Sequence, residues 1–136
     1  MRAIGIGLVV AVVLGLAPAS TAQAVDVKPE WGSLSAEDGV LKRGCRTYEY
    51  QYAITPPTDG YWDLSVRVVG PSGRTLFFSY QPDGESALTG TATYRLCRSE
   101  TRPGLYKLKA LVTVQDNDEQ VQGRLPTERF RLRNRR

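Results

Sequence analysis

The chain has 136 residues, 41% hydrophobic and 24% charged, with 18 basic and 14 acidic side chains for a formal charge of +4. It contains no histidine and two cysteines. That composition removes the usual general base, the ordinary pH switch and the commonest zinc ligand, which excludes Ser-His-Asp or Cys-His catalysis and a structural zinc site.

The N-terminus reads as an export signal. Arg2 is followed by an uncharged apolar run over residues 3–17, then Pro18 and the small-x-small tripeptide Ala22-Gln23-Ala24. A spanning helix needs about 20 apolar residues; this run is shorter and no basic stop-transfer cluster follows it. The pattern predicts a signal peptide over 1–24, a β domain over 25–133 and a basic tail over 134–136. The product is expected to be secreted, monomeric and free of a transmembrane anchor. No cysteine stands at the cleavage point to take a lipid, and Leu125-Pro126-Thr127-Glu128 lacks the glycine of a sortase signal. In an exported chain Cys45 and Cys97 are expected to form one structural disulfide.

Turn signals recur at Pro56-Pro57-Thr58-Asp59-Gly60, Gly70-Pro71-Ser72-Gly73, Pro82-Asp83-Gly84 and Arg102-Pro103-Gly104. Strands are expected at 27–34, 46–55, 62–69, 75–80, 87–97, 105–115 and 129–133, about seven in all. Alternation assigns inward faces to Tyr48, Tyr50, Tyr52 and Ile54, to Trp62, Leu64, Val66 and Val68, and to Leu88, Ala92, Tyr94 and Leu96. Further on, Tyr106, Leu108, Ala110, Val112 and Val114 face inward, as do Phe130 and Leu132, while Lys107 and Lys109 face out. The fold class is all-β, an antiparallel sandwich.

The run Pro103-Gly104-Leu105-Tyr106-Lys107-Leu108 resembles the tyrosine corner of fibronectin type III and related immunoglobulin-like domains. The resemblance implies a structural role for Pro103, Gly104 and Tyr106, with the Tyr106 hydroxyl bonded back to the turn, and a core position for Trp62 on the third strand. In such a sandwich Cys45, before the second strand, and Cys97, at the end of the fifth, meet at one rim of a single sheet. Antibody domains bridge their two sheets instead, so the usual partners of that family do not carry over. The chain is also similar to small secreted proteins of Gram-positive bacteria with GC-rich genomes. Neither likeness implies an activity or a cofactor.

Arg129, Arg131, Arg133, Arg135 and Arg136 make the C-terminus a candidate anion-binding strip. No nucleic-acid motif accompanies them. Asp116-Asn117-Asp118-Glu119 is a cluster of oxygen ligands that fails the EF-hand pattern and reads as a polar hairpin loop. Asp59 with Asp63, and Glu37 with Asp38, are acid pairs in turns or at strand ends. Tyr48, Tyr50 and Tyr52, with Tyr61 and Trp62, are a sugar platform only if they are not core. The leading expectation is a non-catalytic secreted binding protein for an extracellular protein or an anionic cell-envelope polymer. The alternatives are an inhibitor of an extracellular hydrolase, inserting a loop such as 56–61 or 116–122, and a carbohydrate-binding module.

Overall fold

The computed structural model describes residues 15–17 and 24–135. Apart from 15–17 and Ala24, the expected export signal lies outside them, as does Arg136. Among the described residues a single 3-10 turn, Pro29–Trp31, leads into nine strands: β1 Gly32–Ser35, β2 Gly39–Leu41, β3 Cys45–Ile54, β4 Tyr61–Val69, β5 Thr75–Pro82, β6 Thr89–Cys97, β7 Gly104–Asp116, β8 Glu119–Arg124 and β9 Glu128–Asn134. They form two sheets of a sandwich. One runs β1-β3-β6; the other runs β2-β9-β7-β4-β5, with β8 also paired to β7. No helix among the described residues is long and apolar enough to cross a membrane.

Two strands go beyond the expected seven, and each hides its signal. β2 is three residues long and gains its order from a parallel pairing with the distant β9. β8 directly follows the turn Asn117-Asp118, where Asp116 pairs with Glu119. The loop expected over 116–122 is therefore mostly strand. Asn117 takes a positive φ of 52°, which asparagine tolerates better than most residues. The first expected strand starts late, because Val27 makes only an isolated bridge to Arg124, Pro29 opens a 3-10 turn, and pairing with β3 begins at Gly32. Gly32 has φ 144°, and a Cβ there would collide with the Ala53 carbonyl oxygen.

Alternation places the core. Leu64, Val66 and Val68 of β4 and Tyr106, Leu108, Val112 and Val114 of β7 are all buried, facing Tyr50, Tyr52 and Ile54 of β3 and Tyr94 and Leu96 of β6. Trp62 is buried as expected, whereas Leu88 precedes β6 and is exposed. Aromatic rings fill one end: Tyr48 stacks on Tyr94 at 5.5 Å, and Phe130 stacks on Tyr106 at 5.6 Å. Burial pushes the Tyr94 hydroxyl well above its ordinary pKa, with neighbouring Tyr48 and Tyr106 adding to the effect. The Tyr50 hydroxyl ties the sheets together, accepting from Gln81 Nε2 at 3.0 Å and pairing with Ser79 Oγ at 3.2 Å.

Cys45 and Cys97 are directly opposite each other in the β3–β6 register, Cα atoms 3.9 Å apart, and form a disulfide within that sheet. With its ends 52 positions apart in the sequence, the bridge contributes about 4 kcal/mol by loop-closure entropy. The fully buried Tyr106 donates its hydroxyl to the Arg102 carbonyl at 2.6 Å, leaving the Thr101 hydroxyl, 2.9 Å away, to donate to it. Tyr106→Phe keeps the ring and removes both bonds. The expected loss is about 1–2 kcal/mol, read as a lower urea midpoint; an unchanged midpoint would mean the hydroxyl contributes nothing.

Candidate functional site

The two outer faces differ in kind. On the three-stranded sheet, the outward positions of β3 and β6 pair Thr47 with Arg95, Glu49 with Thr93 and Gln51 with Thr91, a mixed polar surface. On the six-stranded sheet, basic residues gather. Arg67 of β4 lies opposite Lys109 of β7, and Lys107 of β7 lies opposite Arg129 of β9. Arg131 lies opposite Leu105, Arg133 opposite Val40 and Arg124 opposite Leu111. Asp63 is the acid on the same outward positions of β4, β5, β7, β8 and β9 among the described residues.

Like charges directly opposite each other on adjacent strands repel and lower stability. Two such pairs in neighbouring rows make this face a site of positive potential held on rigid backbone. Arg129, Arg131 and Arg133 are exposed in β9, and Arg135 is exposed just beyond it. Asn134, the first residue of the expected basic tail, is the last residue of β9. Asp38 Oδ1 accepts the Arg131 backbone N–H at 2.7 Å, so this acid fastens β9.

An aromatic edge borders the charge. β5 presents Phe78, 61% exposed and opposite Arg67, and Tyr80, 54% exposed and opposite Ser65. Tyr61 on β4 is also exposed. Of the aromatic residues read from the sequence as a possible platform, Tyr61 is on this exposed side, whereas Tyr50, Tyr52 and Trp62 are buried in the core and Tyr48 is half-buried against it. Phe78 and Tyr80 escape a reading by composition, although adjacent Phe77 and Phe78 cannot share one face of a strand. Arg124 escapes it because its strand is not apparent.

The acidic turn is built from its own contacts. Gln115 Nε2 donates to the Asn117 carbonyl at 3.0 Å, and Asn117 Nδ2 donates to Asp116 Oδ1 at 3.2 Å. No group of three or more acidic or cysteine side chains placed to hold a metal occurs among the described residues.

Partial burial raises the Asp63 carboxyl above its ordinary pKa, with hydrogen bonding from Tyr80 and Thr113 partly offsetting it. Since the folded value exceeds the unfolded one, the unfolded chain ionises first as pH rises. Asp63 therefore lowers stability progressively from its ordinary pKa up through its raised folded value, and not below that window. Asp63→Asn is expected to flatten this decline in a pH series of urea midpoints, and an identical decline in the variant would show the loss arises elsewhere.

No protein-family model and no curated protein matches this chain.

Proposed function

We propose that this chain is an exported, non-catalytic immunoglobulin-like domain that binds an anionic polymer outside the cell through the outer face of its six-stranded sheet. The strand order β1-β3-β6 against β9-β7-β4-β5, the bond from Tyr106 to Arg102 and the buried Trp62 on β4 support the immunoglobulin-like reading. The Cys45–Cys97 bridge supports an oxidising compartment. The signal over 1–24 and the boundaries 25–133 and 134–136 belong to the same proposal.

The observation that carries the binding reading is the two like-charge cross-strand pairs, Arg67 opposite Lys109 and Lys107 opposite Arg129, in neighbouring rows of one face. Repulsion within each pair falls when a polyanion lies across both. Arg131 and Arg133 extend the same stripe along β9, and Arg135 and Arg136 follow in the sequence. A stripe of charge spaced along strands suits an extended polymer with repeated negative groups better than a single small anion.

Titration with polyphosphate and with polygalacturonate tests the reading. Affinity is expected to fall steeply between about 50 and 200 mM salt as exposed charges are screened. The triple variant Arg129→Gln, Arg131→Gln, Arg133→Gln removes three exposed contacts worth roughly 0.5 kcal/mol each, or about tenfold in affinity. Glu49→Gln on the opposite sheet is expected to leave binding unchanged. Binding that ignores salt, or a triple variant that binds as the parent does, would contradict the proposal.

A further inference from the structure

The basic face deepens at one place, for a reason visible in the register. Arg124 pairs with Leu111 and Glu128 with Leu108, so 125–127 oppose only Lys109 and Ala110, one residue fewer. The extra residue makes a bulge. Leu125 turns into the core and donates its N–H to the Ala110 carbonyl at 3.1 Å, while Pro126 has no N–H to offer. Residues 25–28 run alongside. Arg124 N donates to the Asp26 carbonyl at 2.9 Å, Lys28 N donates to the Arg124 carbonyl at 2.7 Å, and Arg124 Nε donates to the Val25 carbonyl at 2.7 Å.

This leaves a cavity of about 500 Å³ on the outer face, within the range of small-molecule sites at roughly 300–1,000 Å³. Its floor carries Arg67, Lys109 and Leu111; Phe78 borders it on one side, and Arg124 with Val27 on the other. We propose that the cavity holds one carboxylated sugar ring of an acidic polysaccharide, its carboxylate against Arg67 and Lys109 and one face of the ring on Phe78. The inference rests on the polyanion reading above and adds the class of polymer.

Charge by itself does not choose between a phosphodiester chain and an acidic sugar. The apolar surface does. A phosphate group needs donors and gains nothing from Phe78 and Leu111, whereas a pyranose offers an apolar C–H face to an aromatic ring and polar edges to its surroundings. Arg67 and Phe78 are direct cross-strand neighbours, so a carboxylate and the ring bearing it are met by adjacent side chains. A guanidinium also accepts a carboxylate in a two-pronged contact. Arg124, tethered to the Val25 carbonyl, holds a further cation at the opposite wall. Tyr80, two residues from Phe78 on the same face of β5, provides a second exposed ring for the next sugar along the strand.

Titration of the protein with a trigalacturonate, with the matching neutral galactose trimer and with polyphosphate tests this, using Phe78→Ala, Phe78→Leu and Arg67→Gln. Phe78 is exposed on an edge strand, so both substitutions there are expected to leave the fold intact, with polyphosphate affinity as the check. Phe78→Ala is expected to weaken trigalacturonate about tenfold and leave polyphosphate unchanged. Phe78→Leu, which keeps apolar area but loses the flat ring, is expected to fall between. Arg67→Gln is expected to weaken trigalacturonate, and the neutral trimer to bind at least tenfold more weakly than the acidic one in the parent protein. Polyphosphate binding without trigalacturonate binding, or equal trigalacturonate affinity in the parent and Phe78→Ala, overturns the inference and leaves the polyanion reading standing. Failure of both polymers to bind at low salt overturns both.

Discussion

The alternation along β7 is the constraint on which the rest of the molecule depends. This strand is paired on both sides, with β4 along one edge and β8 then β9 along the other. Its even residues from Tyr106 to Val114 fill the core, and its odd residues carry Lys107 and Lys109 outward. A slip of one residue would bury two lysines and expose a tyrosine, three aliphatic residues and an alanine, a penalty no sandwich of this size could absorb. The register that builds the core therefore also aligns the cations. Fold and surface charge follow from the same period of two.

The cations are aligned at some loss of stability. Arg67 opposite Lys109, and Lys107 opposite Arg129, place like charges at facing cross-strand positions where opposite charges would be favourable. The three-stranded sheet offers the contrast within the same molecule, since Arg95 there faces Thr47 and Glu49 faces Thr93. The scaffold can hold such tension because its other parts are well tied. The Cys45–Cys97 bridge closes the β3–β6 rim, the Tyr106 hydroxyl fastens the turn before β7, and Tyr50 links β3 to β5 across the core. A rigid sheet also keeps Phe78 and Tyr80 in fixed positions beside the charges, which loops would not do.

Much of this is legible in the sequence, and the parts that are not share a cause. Residues 62–69 and 105–115 alternate so strictly that both the strands and their inward faces follow from the residues themselves, as does the outward direction of Lys107 and Lys109. The placement of Cys45 and Cys97 at one rim of one sheet comes from the likeness of 103–108 to a tyrosine corner and the strand order that likeness implies, since alternation alone does not say which strands pair. β8 is not legible. Glu119-Gln120-Val121-Gln122-Gly123-Arg124 offers little apolar signal, and its inward Gly123 is buried because the Trp31 ring lies against it. β2 depends likewise on a partner more than 90 residues away. The cavity combines both difficulties. It depends on a one-residue mismatch between β7 and the β8–β9 side, and on residues 25–28 returning to Arg124, neither of which has any local mark in the chain.

That one register builds both the core and a binding face is tested most directly by mapping backbone amide shifts in an isotope-labelled sample titrated with an acidic oligosaccharide. Perturbations are expected at the outer-face positions Arg67, Phe78, Lys107, Lys109, Arg124, Arg129 and Arg131, fading with added salt, while Thr47, Glu49, Thr91 and Thr93 on the opposite sheet stay still. Perturbations centred on the loop at 55–60 or on the three-stranded sheet, with the outer face of β4, β7 and β9 unmoved, would contradict it.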